Sequence, residues 1–142
     1  MKILVVKLSS LGDILQTFPA LERLASYYPR AEIDWVVEEQ FAPLIQHHPL
    51  LGKVHLFPWK KGSVKQIFSS LRRLWREKYD LIFDFQGNTK SGLLTFCARG
   101  RIKVGMGKES VREWPNLLAT HRKFEVGRGE AMPLLYQRLV DL

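Results

Sequence analysis

Residues 1–17 read MKILVVKLSSLGDILQT, and this stretch joins a strand pattern to a helix pattern through one short polar turn. The apolar, β-branched run at 2–7 lacks helical periodicity and predicts a buried strand. Apolar residues then recur at helical spacing from Ile14 to Tyr28, with Pro19 either kinking that helix or beginning its regular part. A buried strand that passes directly into an amphipathic helix is typical of an α/β fold.

The rest of the chain repeats this alternation of strand and helix. Further strands are predicted at 32–37, 54–57, 81–84 and 101–105, and helices at 41–46, 64–75, 90–98 and 130–142. The segments 113–116 and 122–124 suggest a turn or short helix and a loop or brief strand. The pattern predicts one domain over residues 1–142, with a Rossmann-like parallel sheet covered by helices on both faces.

Open parallel sheets bind ligands beyond the C-terminal ends of their strands. The segments that follow the predicted strands are 7–13, 35–40, 57–63, 84–91 and 105–112. We therefore expect the serine-rich turn and the basic loop that contains Lys60 and Lys61 to lie along the same edge of the sheet.

Composition narrows the functional classes. An apolar content of 46% is ordinary for a globular protein, and no apolar run approaches the ~18 residues of a membrane helix. The single cysteine, Cys97, excludes an internal disulfide and fits a reducing cytoplasm. It lies in an apolar helix pattern, which favours packing over catalysis. No histidine, cysteine or carboxylate grouping has metal-ligand spacing, so we expect neither a metal nor a cofactor.

The formal net charge of +8 is concentrated in one region. Residues 53–78 contain eight lysines and arginines against one glutamate. Such a region is typical of a solvated face or of a surface that meets polyanions. Lys60 and Lys61 follow Trp59, and this grouping suits phosphate or carboxylate groups.

The turn at 9–13 has neither the P-loop pattern nor the dinucleotide-binding glycine pattern. Ser9, Ser10 and the backbone amides lie where a helix N-terminus favours an anion. Asp13 has two interpretations. It is either the N-cap of the helix or a general base for a substrate hydroxyl, with a pKa lowered by the helix amides.

The turn at 84–91 reads DFQGNTKS. Gly87 permits a tight turn, while Gln86, Lys90 and Ser91 supply polar groups at a strand-to-helix junction. Those groups serve either turn and cap formation or contact with a ligand.

Several stretches together resemble the bacterial lipopolysaccharide heptosyltransferases, most closely those of the heptosyltransferase I type. They are VKLSSLGDILQTFPAL (6–21), IDWVVEEQFA (33–42), YDLIFDFQGNTKSGLL (79–94) and, more weakly, GRIKVGMGKESVREW (100–114). The resemblance implies the GT-B fold, with an acceptor-binding N-terminal half and an ADP-sugar-binding C-terminal half. The chain matches the N-terminal half, so a C-terminal donor domain is expected as its partner and the 142 residues alone are expected to be inactive.

The resemblance also implies an activity: inverting, metal-independent transfer of heptose from ADP-heptose to the Kdo region of the inner core. Asp13 matches the general base, and Ser9, Ser10 and Gly12 match the turn beside it. Acceptor contacts are implied for Lys7, Lys60, Lys61, Gln86, Gly87, Lys90 and Ser91. The acceptor is a phosphorylated Kdo–lipid A, and the location is the cytoplasmic face of the inner membrane, held peripherally by anionic headgroups.

Two other functions stay open at this point. The first is a small basic nucleic-acid-binding domain, since Trp59, Trp75 and Trp114 lie near the charges; no nucleic-acid signature is present, and no such partner is expected. The second is a stand-alone nucleotide-binding domain, against which the missing glycine fingerprint counts.

Overall fold

A six-stranded parallel sheet forms the centre of the computed structural model, which describes residues 1–125, 136–138 and 140–141. The strands are β1 (Lys2–Val6), β2 (Glu32–Glu38), β3 (Val54–Phe57), β4 (Lys78–Asp84), β5 (Arg99–Met106) and β6 (Arg122–Phe124). The helices are α1 (Leu11–Gln16), α2 (Phe18–Tyr27), α3 (Val64–Arg76) and α4 (Thr89–Cys97), with 3₁₀ helices at Glu39–Leu44 and Trp114–Ala119.

The strand order is β3-β2-β1-β4-β5-β6, and every neighbouring pair is parallel. This is the order of the doubly wound dinucleotide-binding folds, whose ligand crevice lies where the order reverses. That point falls between β1 and β4. The predicted α/β class and parallel sheet are confirmed, and the turns that follow β1 and β4 lie at the crevice.

Successive side chains of β1 point to opposite faces of the sheet, so each face has its own apolar core. Ile3 and Val5 pack with α1 and α2, whereas Leu4 and Val6 pack with α3 and α4. All four of these strand residues are fully buried, because a central strand of a doubly wound sheet is covered on both sides. Helices therefore cover both faces, as predicted.

Differences from the sequence-based prediction lie mostly at element ends. The helical pattern from Ile14 to Tyr28 is divided at Thr17, and Pro19 stands in the first turn of α2. Proline thus begins the regular helix, where its missing N–H costs no hydrogen bond. The helix expected at 41–46 is instead the 3₁₀ helix Glu39–Leu44, with Pro43 inside it. Most of the helix expected at 130–142 lies outside the described residues.

None of the helices in the described ranges combines the length and the apolarity needed to cross a bilayer.

Candidate functional site

The turn between β1 and α1 is closed by a reciprocal cap. Ser10 is the N-cap residue, and Asp13 is the third residue of the helix. The Asp13 carboxylate accepts hydrogen bonds from the Ser10 hydroxyl at 3.1 Å and from the Ser10 backbone N–H at 3.4 Å. The interpretation of Asp13 as N-cap is therefore wrong: Ser10 holds that position, and Asp13 closes the capping box from inside the helix.

The Asp13 carboxylate is held ionised by its neighbours. Its side chain is 23% exposed, and the Arg112 guanidinium lies 3.6 Å away. Partial burial favours the neutral acid, but the charge on Lys7, the Ser10 hydrogen bonds and Arg112 together hold the pKa of Asp13 below its usual value. The lowered pKa comes mainly from Lys7 and Ser10, and not from the helix amides in general as the sequence suggested.

Lys7 lies beneath this turn and is fully buried. Its ammonium donates to the Phe85 carbonyl at 3.1 Å and to the Tyr136 hydroxyl at 2.7 Å, and it stands 4.9 Å from the Tyr136 ring centre. Burial lowers the pKa of Lys7 to about 8. Lys7 therefore acts on Asp13 through its charge, while its direct contact with an acceptor stays a prediction.

A buried carboxylate organises the turn after β4. Asp84 accepts hydrogen bonds from the backbone N–H groups of Gln86 at 2.9 Å and Gly87 at 3.0 Å, and from the Asn116 amide at 2.6 Å. Burial raises the pKa of Asp84. Gly87 has φ of +73°, and a Cβ at that position would lie 3.0 Å from the Met106 sulfur. The prediction that Gly87 permits a tight turn is confirmed.

Gln86 joins this turn to the first one. Its side-chain carbonyl accepts hydrogen bonds from the backbone N–H groups of Leu8 at 3.2 Å and Ser9 at 3.3 Å. The Arg112 N–H in turn donates to the Gly87 carbonyl at 3.0 Å. The segments after β1, β4 and β5 therefore meet at one point, with Asp13 at their junction.

Two of the predicted acceptor residues shape the site from inside. Gln86 is only 2% exposed, and Ser91 is fully buried. The Ser91 N–H donates to the Asn88 side chain at 2.9 Å, and the Ser91 hydroxyl accepts from the Asn88 N–H at 3.2 Å, so the two residues cap α4 reciprocally. Contact of Gln86 and Ser91 with an acceptor stays a prediction.

Lys90 connects the turn after β4 with the loop after β3. Its ammonium lies 4.8 Å from the Trp59 ring centre and 3.8 Å from a Glu38 carboxylate oxygen. Lys60 and Lys61 are exposed and line a pocket of about 250 Å³ with Glu38, Trp59 and their neighbours. Since β1 and β3 run parallel, the serine-rich turn and the basic loop follow the same edge of the sheet, as predicted.

Two residues were not identified from the sequence as part of the site. Arg112 and Asp84 fall inside the segments 105–112 and 84–91 that the strand-end rule selects. Asp84 also begins the motif DFQGNTKS, but the sequence alone assigned no role to it, and no motif distinguishes Arg112. The pairing of Arg112 with Asp13 depends on where a loop lies after the fifth strand, and sequence periodicity carries no information on that.

Within the described ranges, no three histidine, cysteine or carboxylate side chains come together as a metal site would require. Cys97 is partly buried, and burial raises the pKa of its thiol. A protonated thiol in that position fits packing.

Known proteins match this chain in sequence and in structure. Residues 67–132 match the model of glycosyltransferase family 9 (heptosyltransferase). Lipopolysaccharide heptosyltransferase 1 of Pseudomonas aeruginosa is 36% identical over 121 residues, covering 80% of this chain and 34% of that protein. Its namesake in Escherichia coli K12 is 35% identical over 137 residues, covering 90% of this chain and 43% of that protein.

The solved structure of E. coli heptosyltransferase WaaC with ADP-2-deoxy-2-fluoro heptose superposes with a TM-score of 0.88 at 32% identity. The superposition covers 99% of this chain and 47% of that one. The chain spans between one third and one half of the length of these relatives. By sequence and by fold, the chain belongs to the heptosyltransferases of glycosyltransferase family 9.

Proposed function

We propose that this chain is the acceptor-binding domain of a heptosyltransferase that moves heptose from ADP-heptose to the Kdo region of the lipopolysaccharide inner core. The names of the two curated relatives support the reaction class. The solved relative that holds an ADP-heptose analogue supports the donor. The donor-binding domain would be a separate part of the complete enzyme.

The observation that carries this proposal is the ionised Asp13 carboxylate at the crevice between β1 and β4. In the proposed reaction Asp13 accepts the proton of an acceptor hydroxyl while the hydroxyl oxygen attacks the anomeric carbon of heptose. The bond from that carbon to the phosphate oxygen breaks, ADP leaves with the electron pair, and the configuration inverts. A carboxylate with a lowered pKa is a weak base, so proton transfer is late and concerted with bond formation.

Positive charge along the same edge would hold the acceptor. Lys60 and Lys61 are exposed and would pair with phosphate and carboxylate groups of a Kdo–lipid A, each exposed contact contributing ~0.5–1 kcal/mol. Lys90, which lies 3.8 Å from Glu38, would have to exchange that carboxylate for the acceptor. The same charges would attract anionic headgroups. We propose, from the family resemblance together with this charge, that the enzyme lies peripherally at the cytoplasmic face of the inner membrane.

The test is a chimera in which this chain is joined to the donor part of the P. aeruginosa relative. Transfer of heptose to Kdo–lipid A is measured for the parent chimera, for Asp13→Asn and for Glu22→Gln, an exposed carboxylate on α2 used as the control. We expect Asp13→Asn to lower kcat by about 10²–10⁴ with little change in the KM for acceptor, and Glu22→Gln to leave both unchanged. A near-normal kcat for Asp13→Asn would remove Asp13 from the base role.

The unfused chain provides an independent check. It is expected to show no transfer and little affinity for ADP, because the donor is held by the other domain. Tight binding of ADP-heptose with turnover by the 142 residues alone would contradict the division into acceptor and donor halves.

A further inference from the structure

The outer surface of α3 and α4 is apolar where a solvated face would be polar. Phe68, Leu71 and Trp75 of α3 face Phe96 and Cys97 of α4 across a shallow groove of about 640 Å³. Phe68 is 67% exposed, Trp75 54% and Phe96 69%. Contiguous exposed apolar residues of this size mark a contact surface.

These side chains are in excess of what the core requires. Leu74 is buried against the sheet, and Ile67 and Leu71 pack beside it. One such stripe is sufficient to attach a surface helix to a core. Phe68 and Trp75 stand outside that stripe, together with Val64, which is 83% exposed. Their exposure therefore calls for a partner outside the described fold.

The same surface is surrounded by positive charge. Neither α3 (VKQIFSSLRRLWR) nor α4 (TKSGLLTFC) contains an acidic residue. The Arg99 guanidinium lies 5.0 Å from the Trp75 ring centre, and the Lys103 ammonium 5.9 Å from that of Phe96. Among the ion pairs of the described residues, none involves the basic residues of α3, namely Lys65, Arg72, Arg73 and Arg76.

The surface adjoins the candidate site. Helix α3 begins at Val64 directly after its N-cap Ser63, and the loop with Lys60 and Lys61 immediately precedes that cap. Helix α4 begins at Thr89, within the segment 84–91. Val64 therefore lies at the end of α3 beside the edge where an acceptor would bind, whereas Trp75 and Phe96 lie near the C-terminal ends of their helices, so the apolar surface extends from the acceptor edge towards the opposite end of the sheet.

We propose that this α3–α4 surface docks on an anionic lipid bilayer. Phe68, Trp75 and Phe96 would enter the boundary between headgroups and acyl chains, where aromatic rings are favoured. The surrounding arginines and lysines would pair with lipid phosphates. A second copy of the chain fits less well, because it would bring two strongly basic surfaces together. The inference rests on the proposed function in one respect: if the acceptor is a lipid, docking on the bilayer brings the enzyme to its substrate.

The experiment is flotation of the 142-residue chain with vesicles that contain no lipopolysaccharide. One set of vesicles contains phosphatidylcholine with roughly 30% phosphatidylglycerol, to imitate an anionic membrane leaflet. The other set contains phosphatidylcholine alone. We expect binding to the anionic vesicles only, weakening as salt is raised because the charges are exposed.

Two pairs of variants locate the contact. Trp75→Ala is matched by Tyr27→Ala on α2, which is 52% exposed and has Arg23 at 5.6 Å from its ring. Arg72→Gln/Arg73→Gln is matched by Arg30→Gln/Lys123→Gln, which also removes two charges, at exposed positions near the end of α2 and in β6. We expect the vesicle partition coefficient to fall about 10-fold for Trp75→Ala and about 20-fold for the double variant, with both controls within twofold of the parent. All the changes are at exposed positions, and circular dichroism verifies that each variant is folded.

Several results would overturn the inference. They are equal binding to neutral vesicles, no binding of the parent chain to anionic vesicles, or binding that survives both α3 changes but is lost in Lys60→Gln/Lys61→Gln. Concentration-dependent dimerisation that Trp75→Ala abolishes would assign the surface to a second copy, and preferential binding of random oligonucleotides would assign it to nucleic acid. Transfer by the chimera to a delipidated acceptor is expected to be unchanged by Trp75→Ala, so failure of docking and failure of the proposed reaction are separate outcomes.

Discussion

Gly12 and Gly87 are both glycines in site turns, but the fold requires only one of them. Gly87 adopts a positive φ beside the Met106 sulfur, which a side chain would make unfavourable. Gly12 lies in the first turn of α1, and among the described residues no heavy atom beyond its chain neighbours and the adjacent helix backbone comes within 4 Å of where its Cβ would be. Because glycine destabilises a helix relative to alanine, folding gives no reason for Gly12. Close approach of a ligand to the backbone does give one.

Gly12→Ala therefore separates folding from acceptor binding. We expect the free energy of unfolding to stay unchanged or to rise by up to ~1 kcal/mol, since alanine is the better helix former. We expect the chimera's KM for acceptor to rise about 10-fold, a loss of about 1.4 kcal/mol in binding, because the new methyl group occupies the open face of the turn. Urea unfolding and steady-state kinetics measure the two quantities. An unchanged KM would show that the acceptor does not approach the backbone at Gly12.

At the scale of elements, the turn after β4 depends on one buried carboxylate. Asp84 is 1% exposed, and its loss would leave the N–H groups of Gln86 and Gly87 without their acceptor and would remove one of the three acceptors of the Asn116 amide. Each buried donor left unpaired costs about 1–3 kcal/mol. Gln86 also holds the turn after β1, so the damage would reach the surroundings of Asp13.

Asp84→Ala is accordingly expected to lower the free energy of unfolding by about 3 kcal/mol or more. Asp141→Ala is the control, because Asp141 pairs with Arg23 at the surface and exposed pairs contribute little. Urea unfolding of the two variants measures the difference. A loss no larger than that of the control would mean that the turn is held by other contacts.

The strands and long helices could be predicted because each has a strong hydrophobic pattern. The strand 2–7 and the amphipathic α3 are examples, and parallel pairing then places the turns at 9–13 and 84–91 on one edge. The 3₁₀ helices were harder to predict, because Glu39–Leu44 and Trp114–Ala119 are short and each contains a proline. The Arg112–Asp13 pair and the complete burial of the Lys7 side chain depend on tertiary packing, which the periodicity of the sequence does not encode.

At the scale of the whole molecule, a second charged cluster lies near the N-terminal ends of the strands. Asp34 of β2 is fully buried and accepts hydrogen bonds from the Lys53 N–H and the Tyr79 hydroxyl, both at 2.9 Å. The Lys2 ammonium lies 3.3 Å away and also pairs with Glu77 at 2.6 Å. This cluster joins β1, β2 and the start of β4 at the end of the sheet opposite the candidate site.

The cluster makes stability depend on pH in acid. Burial favours the neutral acid at Asp34, but the His55 ring nitrogen at 3.6 Å, hydrogen bonds from the Lys53 N–H and the Tyr79 hydroxyl, and the charge on Lys2 lower its pKa to about 2. A carboxyl whose pKa is lower in the folded state than in the unfolded chain stabilises the fold above the unfolded value. That stabilisation, ~2 kcal/mol, is fully present near neutral pH and is lost as pH falls from about 5 towards 2.

Asp34→Asn is expected to lower the free energy of unfolding at pH 7 by at least ~2 kcal/mol and to flatten its dependence on pH between about 5 and 2. Glu22→Gln, which removes an exposed carboxylate, should reproduce the parent's pH dependence. Urea unfolding at a series of pH values gives both curves. The other carboxyls with lowered pKa values, Asp13, Glu77, Glu113 and Asp141, would still titrate in the variant, so its curve should become shallower but not flat. If the two variants had the same slope, the acid sensitivity of the fold would lie with those other carboxyls and not with Asp34.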